Sequence, residues 1–259
     1  MKSFLVCLCL SLACLVACKK EKQAEGPKGC LLTSITSSQV SSALDYENFR
    51  LAMVTVNART KNQSYGFSYD SVNRIEKISG SEGFYLKLSY TNNQVSEYFM
   101  YSNGVLTSST KLYYMNGLLS KSENYSAEGQ QQSYTSFITD DQQQILQSSL
   151  YAKLGSSFTF VKRMVYTYSA AKSDKATNFA FANMFNITAG NVIEHLSNPY
   201  LPASVRTESY NPQTRQPVTE SELNITYVTN EQSKASSFEI NDVTNSEKTT
   251  AAVAYKCTD

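Results

Sequence analysis

The feature that most constrains this chain is its alternation. Tyr65, Phe67 and Tyr69 are separated by Gly66 and Ser68, and Phe84, Leu86, Leu88 and Tyr90 by Tyr85, Lys87 and Ser89. Phe158, Phe160, Met164, Tyr166 and Tyr168 share a parity, and Leu223, Ile225, Tyr227 and Val253, Tyr255, Cys257 repeat the pattern. A period of two is the signature of a pleated strand with one buried face, and no helix can satisfy it. Turn chemistry falls between the runs. Asn103-Gly104 and Asn116-Gly117 are strong hairpin dipeptides because both central residues must accept positive φ; Asn92-Asn93, Glu128-Gly129 and Asp140-Asp141 are related.

The hairpins recur. Tyr69-Asp70-Ser71-Val72-Asn73-Arg74-Ile75 is followed by Tyr90-Thr91-Asn92-Asn93-Gln94-Val95 and by Tyr114-Met115-Asn116-Gly117-Leu118-Leu119. A fainter copy starts at Ile138, with Asp140, Asp141 and Ile145, so starts are spaced by about 21 to 24 residues. Each unit ends one strand on an aromatic, turns through polar residues and starts the next strand on an aliphatic. One hairpin cannot bury its apolar face alone, so the units must lie side by side. The expected fold is mainly β, an antiparallel meander of consecutive hairpins forming a large twisted or curved sheet, whether open or closed into a barrel.

One stretch breaks the rhythm. Ala176, Phe179, Ala180, Met184, Phe185 and Ile187 fall at helical spacing after Asp174, a good N-cap, and before Gly190, a good stop. A short helix packed on the sheet is expected at about 174–188, dividing a hairpin-repeat part at about 60–170 from C-terminal strands at about 203–257. All belong to a single β-rich domain, residues 30–259. The chain has 18 Tyr, 12 Phe and no Trp, which suits antiparallel strands with one wet face. A net charge of +1 with no basic block argues against nucleic acid, whose binding needs a positive field to release counterions.

The N-terminus reads as targeting. Lys2 precedes an apolar run, Phe4 to Ala17, too short to span a bilayer comfortably and the right length for a signal core. Leu15-Val16-Ala17-Cys18 resembles the lipobox of bacterial lipoproteins. The resemblance implies cleavage after Ala17, leaving residues 1–17 as signal peptide, and a lipid thioether on Cys18 that anchors the chain to a membrane. Residues 18–29 then form a polar tether reaching on the order of 40 Å when extended. Lys19 stands where lipoproteins held in the inner membrane have Asp, which implies the outer membrane and leaves open which face. Of six cysteines, Cys7, Cys9 and Cys14 leave with the signal and Cys18 is taken by lipid. Cys30 and Cys257 remain, and in an oxidising compartment they read as one disulfide, the alternative being two buried thiols.

The hairpin units, of which the first begins Tyr69-Asp70, resemble tyrosine-aspartate (YD, Rhs-type) hairpin repeats. The chain from 30 to 257 is similar to a Bacteroidota lipoprotein family of unknown function with degenerate repeats of this kind and a later segment like Asn198-Pro199-Tyr200-Leu201-Pro202. YD units carry Gly-Arg before the aliphatic residue, whereas here only the first copy has Arg74, preceded by Asn73. The resemblance brings no activity with it. Asp70-Ser71-Val72 also resembles the Bacteroidota acceptor for O-glycosylation, which marks Ser71 as a modification site.

Candidates for chemistry are few. His195 is the one histidine, and no Gly-x-Ser-x-Gly supplies a nucleophile for it. Asp140-Asp141 could form a glycosidase pair but lies in a polar turn sequence. Tyr98 with Tyr101, Tyr113 with Tyr114, and Tyr166 with Tyr168 could stack sugars, or pair across strands in the core. No motif points to a catalytic residue, a metal or a cofactor. The expected function is a non-catalytic envelope lipoprotein, a binding or structural module for a glycan or partner protein. The alternatives are an envelope-polymer hydrolase and a carrier of an apolar ligand, the last marked by an apolar cavity between sheet and helix.

Overall fold

The computed structural model describes residues 29–58, 62–185, 192–196, 198–211, 214 and 216–258. The signal segment, Cys18 and the tether up to residue 28 lie outside the described residues, as does Gly190. The strands are β1 (Gly29–Ser37), β2 (Val40–Glu47), β3 (Arg50–Ala58), β4 (Asn62–Tyr69), β5 (Ile75–Ser79), β6 (Phe84–Thr91), β7 (Gln94–Ser102) and β8 (Val105–Met115). They continue as β9 (Leu118–Ser126), β10 (Gln131–Thr139), β11 (Ile145–Leu154) and β12 (Ser157–Lys172). After two helices, α1 (Lys175–Phe185) and α2 (Val192–His195), come β13 (Tyr200–Tyr210), β14 (Pro217–Thr229), β15 (Ala235–Asp242) and β16 (Glu247–Thr258).

Each strand pairs antiparallel with its sequence neighbours, and β1 also pairs with β16, so the sheet closes into a barrel. The array is longer than the 60–170 stretch, because residues 29–58 supply three further strands. Nor does the helical stretch divide it, since β12 pairs directly with β13. The turns behave as their residues require. Asn92 and Asn93, Asn103 and Gly104, and Asn116 and Gly117 all have positive φ, the geometry of tight hairpins that follow the strand twist. Three five-residue turns share one device: the side-chain oxygen of Asp70, Asp140 or Asn230 accepts backbone N–H bonds from the residues two and four positions on.

The two ends of the barrel differ. At one end, here the insert end, β1 starts, β16 finishes and the helical segment enters. There the paired strands part before they finish. The β5–β6 ladder stops at Lys77 and Lys87, leaving Ile75 and Tyr90 beyond it. The Tyr90 hydroxyl donates to the Ile75 carbonyl at 2.7 Å, supplying the hydrogen bond the ladder no longer makes. The arrangement recurs round the rim: Tyr69 to Leu51, Tyr114 to Val95, Thr139 to Leu119, Tyr168 to Ile145 and Tyr227 to Pro202. The aromatic-then-aliphatic repeat of the sequence is this rim. The aromatic of one unit closes the open end of its hairpin onto the aliphatic residue that begins it.

The helical segment is inside the barrel, not on its outer surface. Phe179 of α1 lies edge-on to Tyr65 and Phe67 of β4, at 5.2 and 5.0 Å. Phe181, on another side of the helix, meets Phe238 of β15 at 5.1 Å. His195 of α2 faces Tyr166 of β12 at 5.3 Å. These strands stand on different sides of the ring, so only the lumen can hold the segment. Ala176, Thr177, Asn178, Phe179, Ala180, Phe181 and Ala182 are all buried, as a helix wrapped on every side must be. Asp174 caps α1, accepting from the Thr177 backbone N–H and hydroxyl at 2.8 Å each. Asn178 donates to the carbonyls of Leu196 and Asn198, tying the return segment to α1.

Candidate functional site

A cavity of about 240 Å³ lies at the insert end, between the helical segment and the rim of β5 to β11. Its apolar surface comes from Ile75, Val95, Leu119 and Ile145 on the strands and Ile193 and Leu196 on the insert. Hydroxyls in its wall are committed: Tyr90, Tyr114 and Thr139 are the rim donors already described. Burial raises Tyr90 to about 12, against the pull of the Arg74 guanidinium, and raises Tyr114 to about 12 with help from the Glu194 carboxylate. These phenols therefore stay neutral. The polar lining also includes Asn93, Gln94, Gln143, Lys175 and Glu194.

The two charges sit at different depths. Lys175, the first residue of α1, is exposed. Glu194 is buried, and its charge also acts on Tyr98 of β7, a phenol whose acidity is suppressed first by burial and then by that carboxylate. A second cavity of about 100 Å³ shares Ile75, Lys175 and Leu196 with the first and runs on towards Leu51, Phe67 and Tyr69. The result is a cleft of mixed lining, aliphatic and polar, with an exposed cation and a buried carboxylate among its residues.

The residues singled out in the sequence are distributed differently. Cys30 and Cys257 are joined by a disulfide across the β1–β16 seam. Ser71 is exposed in the turn between β4 and β5, where the Asp70 carboxylate is held by the Val72 and Arg74 N–H groups and by the Arg74 guanidinium. Asp140 likewise organises its own turn. His195 is buried within the insert, its Nδ1 3.4 Å from the Asn198 amide, and burial lowers its pKa to about 4. Among the described residues no three of His, Cys, Asp and Glu gather as a metal-binding group.

The tyrosine pairs divide by face. Tyr98 and Tyr166 are core residues, and Tyr114 and Tyr168 serve the rim. The outward rings include Tyr85 stacked on Tyr101 and Tyr134 stacked on Tyr151, both with centroids 4.6 Å apart. Each partner covers one face of its neighbour, and the ammonium groups of Lys77 and Lys121 lie over the Tyr85 and Tyr134 rings. Lys175 and Glu194 were not picked out from the sequence. The available signal was a charge inside the apolar run Val192-Ile193-Glu194-His195-Leu196.

Across the outer face, polar and charged residues neighbour one another from strand to strand. Ser68, Lys77 and Lys87 are in register, as are Glu97, Lys111 and Glu123. Lys121, Ser136, Ser149, Arg163 and Glu208 continue the belt, then Arg206 with Glu222, and Thr226, Glu239 and Thr250. Glu208 pairs with Arg163 and, at 2.9 Å, with Arg206. Among the described residues no helix is long and apolar enough to cross a membrane.

No protein-family model matches the chain and no curated protein matches it. Solved structures do. A porin-like protein from Bacteroides uniformis superposes with a TM-score of 0.52 at 10% identity, covering 88% of this chain and 94% of that one. A porin-like protein from Bacteroides vulgatus gives 0.48 at 10% identity, over 79% and 98%. The first shows a shared barrel fold. A TcdB2–TccC3 structure aligns at 12% identity over 80% of this chain and 13% of that one, with a TM-score of 0.30, too loose a fit to establish a common fold.

Proposed function

We propose that this protein is a non-catalytic, lipid-anchored module of the bacterial outer membrane whose barrel stands in water and binds a ligand without forming a pore. One observation carries the reading: the barrel has the polarity of a water-soluble protein. A membrane-spanning barrel turns an apolar band to lipid and keeps a polar lumen. Here the belt of Lys, Arg, Glu, Ser and Thr faces outward, while Leu32, Val54, Ile78, Phe179 and Phe181 fill the inside. A Lys or Arg on the lipid face at mid-bilayer costs roughly 2–4 kcal/mol each, so the basic residues of this belt weigh heavily against insertion. The insert also occupies the lumen at the end where a channel would open.

Likeness to porin-like proteins supports an envelope setting, and the lipobox supplies the membrane attachment that the barrel wall does not. The cavity between strands and insert supports binding over a purely structural role. Two measurements test the reading. The full chain labelled with radioactive palmitate should carry label and fractionate with outer membranes, and Cys18→Ala should lose both. Purified protein added to planar bilayers should give no conductance steps. Stable channel openings would reject the reading, as would a Cys18→Ala chain that still resists carbonate extraction from membranes.

A further inference from the structure

We infer that the insert end of the barrel seats on the surface of a zwitterionic lipid bilayer through apolar side chains at its turns. The inference deepens the lipid-anchored reading and rests on it. The backbone of one turn points there first. Asn48 and Phe49 form the two-residue turn between β2 and β3, with φ of 49° and 62°. The same second place is taken by Asn93, Gly104 and Gly117 in the turns after β6, β7 and β8. Glycine and asparagine accept positive φ at little cost, whereas a bulky aromatic there is an outlier. Phe49 is 45% exposed, so burial in the core does not offset the strain. Strain of this kind gathers where a side chain serves something outside the fold.

Other exposed apolar residues share that end. Val72 is in the β4–β5 turn, Met115 ends β8, Ile138 and Leu146 flank the β10–β11 turn, and Val228 is next to last in β14. They are spaced round a closed ring, so a flat partner meets them together. The opposite end exposes Val105, Leu154, Val218 and Val243, none of them aromatic or sulfur-containing. The residues that precede β1 name the partner. They join the barrel at Gly29, and β1 is the neighbour of β2, which runs into the Phe49 turn. A lipid on Cys18 would therefore bring the Phe49 side of the rim to the bilayer. Charge sets the lipid class. Glu47 and Arg50 are register partners on either side of Asn48-Phe49, and Asp70 pairs with Arg74 at 2.7 Å beside Val72. With acid and base balanced at both turns, these tips have no field to select anionic lipid, and their apolar side chains sink to the boundary between headgroups and acyl chains.

The chain has no tryptophan, so a single introduced indole reports its own position. The test uses the lipidated full-length protein as Phe49→Trp, Met115→Trp or Leu154→Trp, all at exposed sites, in phosphatidylcholine vesicles with or without bromine on the acyl chains. Brominated lipid should quench Phe49→Trp and Met115→Trp by about two-fold or more, since both rings reach the acyl boundary, and leave Leu154→Trp at the opposite end unquenched. The quenching should persist in roughly 1 M salt, where exposed charges are screened within about 3 Å. Phe49→Asn, whose new residue suits the turn, should raise the melting temperature of the Cys18→Ala chain in buffer by about 2–4 °C. On the lipidated chain the same change should weaken the quenching of Met115→Trp. Equal quenching of all three indoles, none at Phe49→Trp, or loss of quenching in salt would overturn the assignment. So would a Phe49→Asn chain that melts no higher and leaves Met115→Trp quenched as before. A chain that carries the palmitate label and stays on vesicles yet shows no quenching at the rim would sink this assignment alone, whereas a chain without label would sink the broader reading.

Discussion

The hydroxyl of Tyr90 replaces a lost backbone partner, which sets its worth. Ile75 is buried where β5 and β6 part, and its carbonyl accepts from the Tyr90 hydroxyl at 2.7 Å. Tyr90→Phe keeps the ring and strands the carbonyl, so it should cost about 1–3 kcal/mol in urea unfolding. Tyr85→Phe, on the outer face, should stay within about 0.5 kcal/mol. Equal effects would mean the rim bonds are incidental. His195 gives a second, pH-dependent signal. Burial lowers its pKa from 6.5 to about 4. Above pH 6.5 the imidazole is neutral in both folded and unfolded chains and contributes nothing. As pH falls from 6.5 towards 4 the unfolded chain takes up a proton that the folded chain refuses, so stability declines, by on the order of 3 kcal/mol in all. Glu123 responds lower. Burial alone would raise its pKa, but hydrogen bonds from Lys121, Tyr125 and Tyr113 outweigh that and hold it at about 2. Its contribution is present above pH 4.5 and fades as pH falls towards 2. Of these two groups, only the histidine responds between pH 4.5 and 6.5. Melting temperature measured across that interval should slope in the wild type and flatten in His195→Gln.

At the scale of elements, the insert decides what kind of barrel this is. Sixteen strands ordinarily enclose a channel, and here α1 and α2 occupy its insert end. Phe179→Ala and Phe181→Ala should each destabilise by about 3–5 kcal/mol in guanidinium titrations, because each leaves a void no wall can close. Val105→Ala, in an exposed outer position, should have little effect. A small effect at Phe179 would mean the insert is not part of the folded core. Strands, tight turns and the Asp174 cap were legible because each depends on a few neighbouring residues. The rim was half legible: the repeat gave its spacing, but not that Tyr90 reaches Ile75 at the other end of its own hairpin. The insert was half legible: the short helix packs on the sheet as its sequence implies, but on the inner face of a closed barrel. Six apolar positions suit one wet-backed face, but Phe181 and Ala182 lie off it, the mark of a helix wrapped on every side. Lys175 and Glu194 line the cavity only because the segment is inside the barrel, which the lone charge in Val192-Ile193-Glu194-His195-Leu196 does not encode.

For the whole molecule, closure is the long-range event, and the seam is where it is made. Gly29 to Ser37 pairs with Ala251 to Thr258, joining the two ends of the described chain. The Cys30–Cys257 disulfide crosses this seam with a sequence separation of 227, and the Lys234 ammonium donates to the Cys30 carbonyl beside it. On the chain-entropy view, a loop of that size makes the bridge worth roughly 5 kcal/mol, by restricting the unfolded chain. The strand pairing at the seam does not depend on the sulfur atoms. The double variant Cys30→Ser, Cys257→Ser should therefore keep the far-ultraviolet circular dichroism of the native barrel at neutral pH. It should lose roughly 2–5 kcal/mol in guanidinium unfolding, and reductant should shift the wild-type curve to match. Loss of β signal in the variant at 25 °C would show that the seam cannot hold without the covalent link. Placement adds a further consequence. The seam, the cleft and the start of β1 share the insert end, so a lipid on Cys18 would turn the cleft towards the bilayer. The far end, with the Asn103-Gly104 turn, would face away. Full-length protein on vesicles should then be cleaved by protease at an engineered site in the Asn103-Gly104 turn faster than at one in the Asn116-Gly117 turn, and the difference should vanish when Cys18→Ala releases the chain. Equal rates on the vesicles would mean that the tether leaves the barrel free to tumble.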